Sequence, residues 1–343
     1  MRFGFWMPVF GGWLRNIEDE GMPATFAYQR DLAQQADRTG WDVTLVAELN
    51  LNDIKGPEAD CLEAWTTAAA LAPLTERLEL MAAVRPNFRL PALVAKEAAT
   101  IDRISNGRFT LNVVSAWWQA ESDQYGGAWV QHDERYARTE EFLAVLKGMW
   151  TKDKFSLEGR YYKIKDARLA PKPVQRPWPT LYAGGESPAA KDLIARECDA
   201  YLMHGDPPDA LGAKIEDMRA RRAKHPELPP LKFGVAAYAI VRNSDAEVKK
   251  EIARITDVRA SARGYASYQD FIKGSQLETT VSLEDYSVSN RGLRTGLVGT
   301  PEQVAAQVRA LERIGIDLLL LQSSPQREEM QRFSEDVFPL VRV

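Results

Sequence analysis

Eight times along the 343 residues, a short apolar stretch of the buried-strand kind gives way to a stretch with helical periodicity. That alternation constrains the fold more than any other feature, because parallel strands joined by helices bury both faces of their sheet. The strand patterns lie at 2–8, 43–47, 78–84, 109–114, 180–183, 200–204, 233–241 and 316–322. Helical patterns lie at 24–38, 61–71, 91–104 and 136–150, and start again near Ser187, Pro207, Asp245, Pro301 and Gln326. This predicts an α/β fold, a (β/α)8 TIM barrel with insertions forming one domain over 1–343, rather than an open doubly wound sheet. No GxGxxG follows the first strand, which counts against a dinucleotide fold. Two inserts stand out. FSLEGRYYKIKDARLAPKP reads as a β-hairpin with a proline-rich link, and the polar run at 260–299 reads as a lid or binding loop.

Composition narrows the partners. A net charge of −4 without basic runs argues against nucleic acid. No apolar run approaches the roughly 20 residues of a membrane span. The opening MRFGFWMPVF reads as a first strand and not as a signal peptide. Two cysteines, Cys61 and Cys198, make no disulfide framework, so a reducing cytoplasm is expected. Three histidines without HxxxH or CxxC spacing argue against a structural metal.

In a barrel of this kind the functional loops follow the strands' carboxyl ends. The richest such stretch is 105–136, SNGRFTLNVVSAWWQAESDQYGGAWVQHDERY. Asn106-Gly107 stops a helix, and FTLNVV is a buried strand with one polar residue, Asn112, inside it. A buried amide costs free energy unless it is hydrogen-bonded; Asn112 either pairs with a neighbouring loop or meets a ligand. After Ser115 comes a long loop with Trp117, Trp118, Trp129 and His132, ending at Tyr136. After the fifth strand, Ala183-Gly184-Gly185-Glu186-Ser187-Pro188 places two glycines before an N-capping serine and an N1 proline. Free N–H groups at a helix start suit a phosphate, although a well-capped helix explains the same residues. The remaining rim positions are Phe10 and Trp13, Glu48 and Asn50, Arg85, His204, and Ser323 and Ser324. So many aromatics suit a flat, largely apolar ligand in a dry cavity. For His132 and His204 a structural hydrogen bond and a ligand role fit equally. Cys61 opens an apolar helix and reads as a small buried hydrophobe. Arg291 and Arg294 in the expected lid are either anion clamps or solvated. Paired carboxylates and a nucleophile elbow are missing, which assigns the chemistry to a cofactor.

Together, FWMP, AATIDRISNGRFTLNVVSAWW, HDERYARTEEF, PKPVQRPWPTLYAGGES, GIDLLLLQ and VFPLV resemble the bacterial luciferase-like superfamily of flavin-dependent oxidoreductases. The resemblance covers the whole chain and is strongest to reduced-FMN-dependent alkanesulfonate and dimethyl sulfone monooxygenases; NVVS-x-W and HDERY are similar to the latter in particular. It implies a two-component enzyme that oxygenates a small organosulfur compound with O2 and C–S cleavage. By the same resemblance a separate NAD(P)H-dependent reductase is expected to supply the reduced FMN, and a homodimer or homotetramer is expected. It further implies that Asn112 contacts the isoalloxazine edge, that Ser115, His132 and Tyr136 line the cofactor cleft, and that Gly185, Glu186 and Ser187 hold the phosphate. Ala82-Ala83 falls where family members carry a non-proline cis peptide beneath the ring.

The substrate side departs from the alkanesulfonate pattern. Phe10 stands where those enzymes carry a histidine, Ala236 and Tyr238 where they carry an arginine and a histidine, Ser324 in place of a tyrosine, and His204 in place of a tryptophan. Cys61 and the lid arginines are retained. Losing an arginine and two histidines weakens anion binding, so a sulfone, or another neutral organosulfur or carbonyl compound, becomes the more plausible substrate. His204, Tyr238 and Arg294 are the expected substrate-handling groups, with Phe10, Trp13, Cys61, Trp117, Arg291 and Ser324 lining the substrate pocket. The resemblance leaves three alternatives: a monooxygenase of a non-sulfur compound such as a ketone or pyrimidine, a deazaflavin-dependent oxidoreductase, and a flavin-binding protein without catalysis.

Overall fold

In the computed structural model, eight parallel strands close into a barrel in the order β1-β12-β9-β8-β7-β4-β3-β2. The described residues are 1–115, 117–127, 129–257, 265, 268–274, 277–278 and 281–342. The barrel strands are β1 (Arg2–Trp6), β2 (Val43–Val46), β3 (Glu79–Val84), β4 (Phe109–Val113), β7 (Leu181–Ala183), β8 (Ala200–Met203), β9 (Lys232–Tyr238) and β12 (Leu318–Gln322). The insert after the fourth strand is the expected antiparallel hairpin, β5 (Phe155–Glu158) with β6 (Lys163–Ala167). The seventh strand pattern divides at Ala239. Its end, β10 (Ile240–Val241), leaves the barrel and pairs with β11 (Val298–Gly299).

Helices α1 (Phe26–Thr39), α2 (Ala64–Leu71), α3 (Pro91–Ile104), α4 (Gln119–Tyr125) and α5 (His132–Thr151) accompany the first half of the barrel. The second half carries α6 (Pro188–Glu197), α7 (Pro208–Arg222), α8 (Asp245–Ile255), α9 (Tyr268–Gly274), α10 (Leu283–Ser287), α11 (Pro301–Arg313), α12 (Gln326–Asp336) and α13 (Phe338–Val341). Helix α3 ends as its sequence demands, with Asn106 and Gly107 both at positive φ (55° and 85°). Two apolar shells fill the space. Val43, Leu45, Met81, Ala83, Tyr182, Ala200, Leu202, Leu318 and Leu320 pack inside the barrel, and a larger cluster joins the strands' outer faces to the helices.

Three expectations need correction. Helix α5 begins at His132 and not at Tyr136, because Asp133 and Glu134 occupy a first turn where the helix dipole favours carboxylates. The long loop before it contains α4, whose buried Glu121 is held by Arg85. The peptide between Ala82 and Ala83 is trans: among the described residues the cis bonds all precede proline, at Pro171, Pro177 and Pro325. An extended strand explains the difference, since Ala82 pairs with both Val46 and Leu111, and Ala83 with Asn112.

The region read as an irregular lid is partly ordered. Residues 260–264, 266–267, 275–276 and 279–280 lie outside the described residues, but α9, α10 and a 3-10 turn over Ser289–Thr295 are formed. That turn seats directly on β9. A Cβ on Gly292 would lie 2.5 Å from the Tyr238 nitrogen, so only glycine permits the approach.

Candidate active site

The carboxyl ends of the strands open into a cavity of about 280 Å3, near the small end of ligand pockets. On one side stand β4 and β7, paired so that Asn112 lies opposite Tyr182. Asn112 points into the cavity, 5% exposed, and its Oδ1 has no hydrogen-bond donor. β7 runs into the Gly184-Gly185 turn, which also lines the cavity. Gly185 has φ +153°, and a Cβ there would lie 2.6 Å from the Ala190 Cβ and 3.2 Å from the Tyr136 hydroxyl. A side chain would fill the cradle. Ser187 then caps α6, its hydroxyl accepting from the Ala190 N–H, with Pro188 in the first turn. The Tyr136 hydroxyl lies one turn into α5; burial raises its pKa, and the neighbouring Ser187 and Ser115 hydroxyls partly oppose that rise. Ser115 reaches on to Thr139 at 3.3 Å. Strand β4, strand β7 and helix α5 are thus joined by hydroxyls around one cradle.

Glu186 turns its side chain away from that cradle into a buried ion cluster. Its Oε1 takes Lys214 at 2.9 Å and the Arg291 guanidinium, while Oε2 accepts the Glu278 N–H at 2.8 Å. His204 Nδ1 lies 3.5 Å away. Burial alone would raise this carboxyl, but His204, Arg291 and Lys214 outweigh it and hold the group well below the usual carboxylate range. Asp206 extends the cluster to Lys214 (2.8 Å) and Arg294 (3.3 Å). The Glu186 side chain thus fastens the 3-10 turn and the segment before it to the barrel, while its backbone is the part expected to hold a phosphate.

The roof comes from that same segment. Phe271, Leu277, Val281 and Tyr286 face the cavity, and Phe271 meets Trp117 edge-on at 5.4 Å. Trp117 in turn stacks on Trp118 with centroids 5.6 Å apart. His132 lies edge-on to Tyr136 at 5.1 Å. Across the mouth, Phe10 and Trp13 line the wall; the Trp13 indole N–H donates to Gln326 at 2.8 Å.

Of the residues singled out from sequence, Phe10, Trp13, Ala83, Asn112, Ser115, Trp117, His132, Tyr136, Gly185, Glu186, His204 and Arg291 line this one cavity. Others do not. Ala82 is buried on the outer face of its strand, in the larger apolar cluster, and Ser187 reaches the site only through Tyr136. Cys61 sits half-buried with its Sγ 3.7 Å from the Asn50 carbonyl oxygen, its thiol pKa raised first by burial. Tyr238 is buried against Leu14, Ile240, Ile255 and Val288, its hydroxyl without a partner. Ser324 is buried, its hydroxyl also unpartnered. Arg294 bridges Asp206 at the edge.

The sequence reading missed two lining residues of the same kind. Gln322 is 1% exposed with neither amide atom bonded, and the Trp6 indole nitrogen is buried without an acceptor. Gln322 carries the signal that singled out Asn112, a polar residue in a buried apolar strand (LLLLQ). Among the described residues no cluster of three or more His, Cys, Asp or Glu is placed to hold a metal, and no helix is long and apolar enough to cross a membrane.

Comparison with known proteins agrees with this geometry. A family model described as luciferase-like monooxygenase matches residues 1–318. An FMNH(2)-dependent dimethylsulfone monooxygenase from Pseudomonas putida is 36% identical, covering all of this chain and 95% of that protein. One of the same description from Pseudomonas fluorescens is 35% identical, with 100% and 94% covered. Among solved structures, DmoA from Hyphomicrobium sulfonivorans superposes with a TM-score of 0.82 at 17% identity, covering 99% of this chain and 87% of that one. The long-chain alkane monooxygenase LadA superposes at 0.84 and 18% identity, covering 100% and 91%; at such identities the likeness is one of fold.

Proposed function

The chain belongs to the luciferase-like monooxygenase family, and from that premise we propose how its cavity is used. The protein is an FMN-dependent monooxygenase that oxygenates a small organosulfur compound. When bound, reduced FMN supplies the electrons that let one atom of O2 enter the substrate while the other leaves as water. We assign the substrate as a sulfone, with C–S cleavage, and the source of reduced FMN as a separate NAD(P)H-dependent flavin reductase. The sulfone assignment rests on the names of the relatives and on the departures at Phe10, Ala236, Tyr238 and Ser324. A cytoplasmic homodimer or homotetramer is the assembly we infer; both cysteines are free, as a reducing compartment would leave them.

The residues present fit FMN. The Gly184-Gly185 cradle and the capped start of α6 suit its phosphate, and the unpaired Asn112 Oδ1 would accept from the edge of the isoalloxazine. Tyr136, Ser115 and Ser187 orient the cradle, and His132 closes its outer side. Phe271, Leu277 and Val281 keep water from the reacting atoms, while the Glu186 cluster holds that roof down. His204 and Arg291, which reach the cavity from this cluster, are placed to handle substrate, and Arg294 supports them from its edge.

One observation carries the reading: Asn112 and the glycine turn, on neighbouring strands, line one cavity. Turnover with a flavin reductase, NAD(P)H and a panel of sulfones and sulfonates tests it. Oxygen-dependent sulfone consumption that requires flavin is expected; product formed without flavin would end the proposal.

A further inference from the structure

We propose that Gln322, with Trp6 beside it, is the neutral donor pair that reads the sulfonyl oxygens and sets selectivity for uncharged sulfones over sulfonate anions. The inference rests on the reading of the cavity as an organosulfur site. It starts from position. In the ring of eight strands β12 is four strands from β4 in either direction, so Gln322 faces the site from the side opposite Asn112. The β4–β7 side already has an occupant in the cofactor. The β12–β1 side has only the substrate to serve.

Both groups are there and unused. Gly4 pairs with Leu320 and Phe5 with Leu321, so the next step of the register brings Trp6 beside Gln322. Leu320 belongs to the packing inside the barrel, and Trp6 packs against that cluster, so both positions look inward. The Trp6 indole N–H and the Gln322 amide are buried, line the cavity and have no protein partner. A buried polar group without a partner is costly unless a ligand completes it.

The charges around them decide what that ligand can be. Among the described residues, four arginines (Arg15, Arg85, Arg135, Arg291) and four carboxylates (Glu48, Asp53, Glu186, Asp285) line the cavity, so their charges balance. Arg15 is bound by Asp53, Arg85 by Glu121 and Arg291 by Glu186. A sulfonate entering here would lose its hydration and meet three arginines that already have carboxylate partners. A sulfone carries two acceptor oxygens and no charge, so neutral N–H donors satisfy it. Discrimination then comes as much from arginines already engaged by carboxylates as from the neutral donors present.

Equilibrium binding to the FMN-loaded protein, with dimethyl sulfone and methanesulfonate as probes, tests this without turnover. The unmodified protein is expected to bind the sulfone more tightly than the sulfonate. Gln322→Met and, independently, Trp6→Phe should each weaken sulfone binding about tenfold, the equivalent of one hydrogen bond. FMN affinity should not change, and under turnover KM for the sulfone should rise with little change in kcat. Unchanged sulfone affinity in both variants, equal or stronger sulfonate binding by the unmodified protein, or no binding of either probe would overturn the proposal. Tight, Gln322-dependent sulfone binding without oxygen-dependent product would instead overturn the monooxygenase reading and leave this one standing.

Discussion

The two sides of the barrel mouth are finished in opposite ways. On the β4–β7 side the polar groups are engaged, the Asn112 Oδ1 excepted: Ser187 caps a helix, Tyr136 lies beside two serines, and Glu186 gathers a lysine and an arginine. On the β12–β1 side the Gln322 amide and the Trp6 indole line the cavity buried and unanswered. A pre-built cradle suits a cofactor that every turnover uses in the same pose. Unanswered groups suit a small substrate, because their satisfaction is deferred until it arrives. The contrast therefore sorts the cavity into a cofactor side and a substrate side.

The largest expected effect strikes the engaged side. Glu186→Gln removes the anion that Lys214 and Arg291 share, at a side-chain exposure of 3%. Breaking a buried pair from one side costs about 3–5 kcal/mol, which chemical denaturation at neutral pH should show. The sign with pH follows from the depressed carboxyl. Its contribution is complete above the ordinary value of 4.5 and is lost as pH falls below it. The wild-type advantage over Glu186→Gln should accordingly shrink in acid; a difference that grew there would show that the cluster does not stabilise the folded state.

Next comes the cradle. Gly185→Val puts a branched side chain where a Cβ already meets Ala190 at 2.6 Å and where φ is +153°. Reduced FMN, titrated anaerobically, should bind about 100-fold more weakly, or ~3 kcal/mol. Sulfone recognition across the mouth should be disturbed only through the missing flavin. Asn112→Ala is milder, removing one acceptor from the same side; about tenfold weaker FMN binding is expected. If Asn112→Ala instead left FMN alone and weakened the substrate, the division of the cavity would be reversed.

What the sequence made legible follows the same division. The cradle is local: a glycine pair, a cap and a proline within six residues announce a helix start that accepts an anion, and the hydrophobic alternation announces the barrel around it. Asn112 was visible as a polar residue in a buried run. Gln322 satisfies the same rule, but it ends its strand, where a glutamine is ordinarily solvated. Trp6 gave no signal, since an indole in a strand looks like core until its N–H proves unpartnered. The ion cluster is assembled from residues as far apart as Glu186 and Arg291, and no spacing rule links positions that meet only through tertiary packing. The trans bond at Ala82-Ala83 shows the limit of resemblance: a relative's backbone detail does not transfer without the contacts that enforce it.

The smallest expected effect, of opposite sign, concerns Tyr238. Its hydroxyl has no hydrogen-bond partner, its ring packs with Leu14, Ile240, Ile255 and Val288, and it does not line the cavity. Burial holds its pKa well above the ordinary phenol value, so it stays neutral across the working range. Tyr238→Phe keeps the ring and deletes only the unanswered oxygen, which should stabilise the fold by about 1 kcal/mol. Because Tyr238 is the register partner of Gln322 on the neighbouring strand, the same variant locates the boundary of the substrate side. An unchanged sulfone KM places that boundary at Gln322. A raised KM without the gain in stability would mean that the hydroxyl meets the substrate, and the unanswered side would then reach one strand further round the barrel.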